Sequence, residues 1–345
     1  MNILANNNTY NIENHSPSFS GREADIYLLN ENCLKFFYKE SLQKKGKEDK
    51  VLLLCDKYQE LKDQEGFFNI GFPKYPAYYK ENFIGFVMAF FKNSKTITEY
   101  RYHLLQNKYR NVNFNDHAAH LIIKQLFKSL KLVHNHKIIL GDVNPENILI
   151  HNTSFQSFII DVDSACIGDY PCFLTMPEYM CPIVKSIGKN TDDSFSFSAS
   201  SDIYALTIIC FELIIGVHPF TPPVEPVIDM DQAKREDISY LSFYHKKTNR
   251  YKSYYLENKM LYDKVFKRLD YIQKKYPNLY QHFLNLFIFK KRPYYDHQTS
   301  KKSVMRKRPI QRTKGIRPIR GYTPSREKSD PLEFGLFLKQ YNINL

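Results

Sequence analysis

"LGDVNPENILI", residues 140–150, and "SFIIDVDS", residues 157–164, decide how the rest of this chain is read. Asp142 and Asn147 stand five apart on a stretch rich in turn formers, just before a short apolar run that reads as a strand. Asp161 closes a second short strand, fourteen residues after Asn147. Asp and Asn beside Pro are ordinary turn residues, so "DVNPEN" alone is as compatible with a surface loop as with a site. The strand-borne Asp161 changes the weighing. One carboxylate is then placed to orient a hydroxyl and accept its proton, while an amide oxygen and a second carboxylate offer the hard oxygen donors that suit Mg²⁺.

The two sides of these stretches have different periods. Upstream, "DIYLL" (25–29) and "CLKFF" (33–37) are β-prone runs separated by "NEN", a tight hairpin. "KEDKVLLLCDKYQELK" (47–62) follows Gly46 and carries Val51, Leu54, Cys55, Tyr58 and Leu61 at helical spacing. "NFIGFVMAFF" (82–91) reads as a buried strand. Downstream of 115, "HAAHLIIKQLFKSLKLVHNH" keeps helical spacing for about five turns. "SSDIYALTIICFELIIG" (200–216) is apolar on most faces and is expected to be the central column of a helical domain. A Tyr- and Lys-rich helical region follows over 232–290. The expected division is a polar lead-in over 1–16, a small β-rich lobe over 17–92, a larger lobe over 93–298 and a basic tail over 299–345. The fold class is therefore α+β and bilobed, with a cleft between the lobes.

On these motifs the chain resembles the protein-kinase family from about residue 18 to 293, in its eukaryotic-like Ser/Thr form. "GDVNPENIL" with "DVDS" is similar to a divergent, bacterial-type branch of it. The family's catalytic loop reads H-R-D-x-x-x-x-N and its metal-binding Asp opens D-F-G. Leu140-Gly141-Asp142, Asn147 and Asp161-Val162-Asp163 occupy those slots, with Asp161 rather than Asp163 as metal ligand because it ends the strand. "TMPEYMCPIV" (175–184) resembles the end of a kinase activation segment. Asp202, opening "SDIYALTIICFELIIGVHPF", matches an Asp that hydrogen-bonds the catalytic-loop backbone, and "KKRP" (290–293) matches an Arg-Pro near the end of the fold.

The resemblance implies ATP and Mg²⁺, with a protein substrate bearing Ser or Thr. Asp142 would act as base, Asn147 and Asp161 would hold the metal, and Lys35 would hold the α- and β-phosphates with Glu48 on the following helix as its partner. Over "FSGREADI" only Gly21 survives of the glycine-rich loop. The backbone of Ser20 to Ala24 would face phosphate, Ile26 would roof the adenine, and Met88 would close its pocket beside a hinge at Ala89–Phe91, centred on Phe90.

Departures are equally specific. Leu140 and Gly141 replace the His-Arg pair, removing the Arg that gathers a phosphorylated loop, so a constitutively ordered activation segment is expected. Asn144 stands at the catalytic-loop position usually held by a Lys. Ile183 replaces the Glu that pairs with the Arg matched by Arg292, leaving Glu178 or a shift of the segment to supply the partner. A nucleotide-binding pseudokinase scaffold and a kinase of a small-molecule alcohol are the competing readings; "PEYMCP" speaks against the second.

Residues 301–330 hold eleven Lys/Arg and two acids, a net of +9 of the chain's +13. Nucleic acid, an anionic membrane surface or an acidic partner are the ligands such a tail suits, with a merely solubilising extension as the plainer reading. Cys33, Cys55, Cys166, Cys172, Cys181 and Cys210 show no zinc-ligand spacing. Scattered cysteines read as reduced, and the absence of a basic, then apolar leader leads to the expectation of a cytoplasmic location. No apolar run reaches the length of a membrane span.

Overall fold

A computed structural model describes residues 2–6, 8–12, 16–44, 46–99, 116–224, 227–246 and 256–288. Seven antiparallel strands form the first lobe: β1 (Asn2–Ala5), β2 (Asn8–Asn11), β3 (Phe19–Ser20), β4 (Ala24–Leu29), β5 (Asn32–Phe37), β6 (Tyr75–Tyr79) and β7 (Asn82–Ala89), in the order β2-β1-β6-β7-β5-β4-β3. The expected hairpin is β4–β5, turned by Asn30 at φ +60°, a conformation Asn tolerates well. A short α1 (Lys39–Leu42) leads into α2 (Lys47–Leu61), the amphipathic helix foreseen from its spacing. Its Val51 and Cys55 pack with Ala24, Phe37 and Phe86 on the inner face of the sheet.

The first residues are not a loose lead-in. Ile3, Ala5 and Ile12 are buried with Leu34, Ala77 and Val87, and β1 pairs with β6, so a hairpin extends the sheet at that edge. The polar Asn-rich composition hid three apolar side chains spaced to face one side of a strand pair.

β8 (Ser94–Thr96) follows β7 and joins β10 (Ile148–His151) and β11 (Ser157–Ile159) in a second sheet, with β10 central. β9 (Ile138–Ile139) pairs with β12 (Cys166–Ile167). Both small sheets rest on helices: α3 (Asp116–Asn135), α4 (Pro182–Ile187), α5 (Ala199–Ile215), α6 (Met230–Arg235), α7 (Tyr240–Lys246), α8 (Lys259–Lys275) and α9 (Pro277–Phe287). α5 is the expected column, buried without interruption from Ser200 to Leu213. Ser198 and Ser201 close its N-terminus as a reciprocal capping box. Phe211 sits with its ring centre 5.2 Å from that of Phe283 and 5.8 Å from that of Phe287. Burial of one such ring contributes about 2–3 kcal/mol. The larger lobe thus holds the 140–164 strands and loops on a dense apolar base.

The fold is α+β and bilobed, as the periods implied. No described helix is long and apolar enough to cross a membrane. The basic tail, "KKRP" and Arg292 lie outside the described residues.

Candidate active site

The two stretches quoted first come together in the larger lobe. β10 and β11 pair in register, Ile148 opposite Ile159, which brings the residues before one strand alongside those after the other. Asp142, Asn147 and Asp161 consequently line one cavity together with Asn144. Asn147 Nδ2 donates to the Asp142 carbonyl at 3.0 Å and to Asp142 Oδ2 at 3.3 Å, which orients its carboxamide. Asn144 is buried and caps a 3₁₀ turn, accepting from the Glu146 and Asn147 amides at 3.0 and 3.2 Å. Its Nδ2 donates to Asp142 Oδ1 at 3.0 Å. The Asn144 side chain therefore fixes Asp142 and brings no positive charge to the cleft. Burial pushes the Asp142 carboxyl above its ordinary pKa, the Asn144 hydrogen bond opposes this, and the Asp161 charge adds to the rise.

Asp161 has φ +63°, a left-handed backbone that turns its side chain out of the β11 direction. Its side chain keeps 31% exposure, against 1% for Asp163, so Asp161 is the carboxylate a ligand can reach.

Lys35 does meet Asp161 and Asp163, but its partner is not Glu48. Its Nζ bonds Asp161 Oδ1 and lies 2.7 Å from Asp163 Oδ1. Burial works against the ammonium, and the two carboxylates more than reverse it, raising its pKa. Glu48 is exposed and accepts from Tyr78 Oη at 3.2 Å. The reason is helical phase: the inward stripe of α2 runs Lys47, Lys50, Val51, Leu54, Cys55, and residue 48 falls outside it. Lys47 takes the inward place, 3.0 Å from Asp163 Oδ2 and 3.2 Å from Glu23 Oε2.

Cross-strand register places the roof. Ile26 pairs with Lys35 across β4–β5, and Met88 pairs with Cys33 across β5–β7. Partners share a face and so do residues two apart, so Ile26, Cys33, Lys35 and Met88 look the same way, as does Leu28 opposite Cys33. Gly85 allows this close pairing, since a Cβ there would stand 1.9 Å from the Lys35 carbonyl oxygen. Two expected contacts are already engaged. The Phe90 amide donates to the Glu31 carbonyl at 3.1 Å, and the Ala89 carbonyl accepts from Cys33 Sγ at 3.7 Å. Gly21 donates its amide to Ala24 at 2.9 Å, and Ser20 Oγ donates to Asp25 at 2.7 Å, so this loop is a closed turn.

Residues 73–281 match the family model described as protein kinase domain, more than half of the chain. The chain belongs to the protein kinase domain family. Mouse Aurora kinase B is 21% identical over 62% of this chain and 58% of its own length. Human serine/threonine-protein kinase 32B is 27% identical over 40% of the chain and 34% of its own length. An Aurora kinase of Debaryomyces hansenii is 30% identical over 37% of the chain and 31% of its own length. The chain covers about a third of the length of the first relatives it matches, 29%, 31% and 34%. All of these are eukaryotic; the likeness to a bacterial-type branch stays a resemblance of the loop motif.

In this kinase domain the activation segment is held by contacts of its own. Gly141 has φ +73°, and a Cβ there would stand 2.9 Å from both Cys172 Sγ and the Phe197 ring. The Arg of other members has no room here. Lys50 Nζ donates to the carbonyls of Ser164 and Pro171 at 2.9 and 3.0 Å, tying α2 to the segment. The Met176 amide donates to Asp142 Oδ1 at 3.1 Å. Lys234 on α6 donates to the carbonyls of Glu178 and Met180 at 2.6 and 3.2 Å, while the Glu178 side chain is exposed. Burial pulls the Lys234 pKa down to about 8. Asp202 takes the Leu140 and Gly141 amides, as its position implied. Lys47, Lys50 and Lys234 were missed because lysines read as solvated; the helical phase of α2 was the available signal for the first two.

Proposed function

We propose that this kinase domain transfers the γ-phosphoryl group of ATP to Ser or Thr hydroxyls of a protein substrate or of itself. The observation that carries the reading is the convergence of Asp142, Asn147 and Asp161 on one cavity beneath Lys35. Asp142 orients the attacking hydroxyl and receives its proton as the oxygen–phosphorus bond forms and the bond to the β-phosphate oxygen breaks, releasing ADP. Lys35 binds the α- and β-phosphates, and Asn144 keeps Asp142 in its rotamer. Among the described residues no three His, Cys, Asp or Glu side chains cluster for a metal. The Asn147 carboxamide oxygen and the second Asp161 oxygen are hard donors that fit Mg²⁺, which would supply charge neutralisation of the phosphates. Ile26 and Met88 enclose the adenine, with backbone groups of Ala89 and Phe91 as its hydrogen-bonding edge.

A nucleotide-binding scaffold without turnover is the second reading, favoured by the closed turn at Gly21. Incubation with labelled ATP and Mg²⁺ separates the two. Transfer to the chain itself or to a generic basic protein, abolished by Asp142→Ala and by Asp161→Ala, is expected. Nucleotide binding with no transfer by the wild-type chain would establish the scaffold instead.

A further inference from the structure

Six charged side chains form one alternating line from the surface inward: Lys44, Glu23, Lys47, Asp163, Lys35 and Asp161. Lys47 bridges Glu23 at 3.2 Å and Asp163 at 3.0 Å, and Asp163 continues to Lys35 at 2.7 Å. The middle of the line is out of water, with Lys35, Lys47 and Asp163 all buried. Lys47 Nζ also stands 4.3 Å from the centre of the Phe37 ring, and Lys35 Nζ 5.8 Å. Buried charges persist only when each has a partner, and Asp163, facing two cations, is the joint of the line. Neither Glu48 nor Asp49 of α2 is turned inward.

We propose that Asp163 is the positioning residue for Lys35, and that Lys47 is the clamp that docks α2 onto the metal-binding loop. The ion pair by which other kinases couple the helix to the strand lysine is rebuilt here with its polarity exchanged. The helix brings the cation and the loop after Asp161 brings the carboxylate. Glu23, from the turn above the phosphates, extends the clamp to a third element. Docking of α2 thereby sets the Lys35 ammonium and steadies the backbone that carries Asp161. Lys47 touches no reacting atom; it acts through Asp163.

This inference rests on the phosphoryl-transfer reading for its effect on rate, but its geometry is tested by nucleotide binding as well. The experiment measures Mg–ATP affinity by calorimetry, phosphoryl transfer with labelled ATP, and thermal unfolding, on the full chain. Lys47→Glu sets a carboxylate against Asp163 and is expected to lower affinity and transfer by at least about thirtyfold. Adding Asp163→Asn lets residue 47 pair directly with Lys35, and at least about tenfold of the loss returns. A double variant no better than Lys47→Glu overturns the proposal. Lys47→Arg and Lys47→Met guard against misfolding of the charge reversal. Arg keeps affinity within about threefold and Met loses at least about tenfold, with KM for ATP moving more than KM for the protein substrate. Equal affinity of Lys47→Met and wild type overturns the proposal. A wild-type chain that binds Mg–ATP and transfers nothing refutes the kinase reading alone, since the affinities still decide the clamp.

Discussion

Asp202 Oδ1 accepts the backbone amide of Gly141 at 2.8 Å, while its other oxygen takes the Leu140 amide and His134 Nε2, each also at 2.8 Å. With 0% of its side chain exposed, this carboxylate is the structural root of the catalytic loop. Asp202→Ala leaves two buried amides without an acceptor. The expected loss is about 3 kcal/mol of unfolding free energy, read by urea denaturation. A loss below about 1 kcal/mol would mean that the loop finds other acceptors.

The raised pKa of Asp142 has a defined consequence for rate. As the base proposed above, Asp142 works when deprotonated, so activity is expected to rise with pH through the elevated value. The acid limb of the kcat/KM profile should lie above the value of about 4 for a free aspartate. Asp142→Asn should remove the limb together with the activity. For stability the sign is opposite. The native state binds this proton more tightly than the unfolded chain, so the contribution of Asp142 falls as pH rises between the two values.

Lys35 and Glu48 should part company under mutation. Lys35→Met is expected to lower phosphoryl transfer on the order of 100-fold or more. Glu48→Ala should change it less than about twofold, since only an exposed bond to Tyr78 is lost. Equal losses in the two variants would restore the helix carboxylate to the role proposed for Asp163.

Lys234 offers a test by linkage. Its pKa of about 8 lies below that of a free lysine, so the unfolded chain binds the proton more tightly. The contribution of Lys234 to stability should therefore grow between pH 8 and the unfolded value of about 10.4. Comparing wild type with Lys234→Met at neutral pH and near pH 9.5 reads this directly. A difference constant with pH would place the lysine in water.

Gly141→Arg restores the residue that other kinases carry and should harm this one. The left-handed backbone and the 2.9 Å approach of Cys172 and Phe197 leave no place for a side chain. A fall in unfolding free energy of about 2 kcal/mol or more is expected, seen as a lower melting temperature. Phosphatase treatment of the wild-type chain should leave its rate within about twofold, because the segment is tied by Lys50, Lys234 and Asp142 rather than by a phosphate.

In the larger lobe, α5 and the β10–β11 pair were legible because they declare themselves by apolar period and by fixed Asp and Asn spacing. Asp142, Asn147 and Asp161 were singled out by spacing and share one cavity, Lys35 reaches Asp161, and Asp202 holds the Leu140 and Gly141 amides. The ion-pair network did not follow, since identity of charge at a position says nothing of the face it occupies. Glu48 and Lys47 are neighbours in sequence, yet a 100° step of the helix sends one to solvent and the other to Asp163. The opening hairpin was hidden for another reason: three apolar residues among many Asn carry little weight until a sheet exists to receive them.

That hairpin has a consequence for how the molecule meets its neighbours. A sheet ending at β6 would expose a row of amides and carbonyls inviting an incoming chain to zip on. β1 occupies that row, and the rim is passed outward to β2, a strand of Asn, Thr and Tyr that buries none of its residues. The opposite rim is only two residues long. Fibrous stacking through the small lobe is thereby discouraged by the first dozen residues of the chain itself.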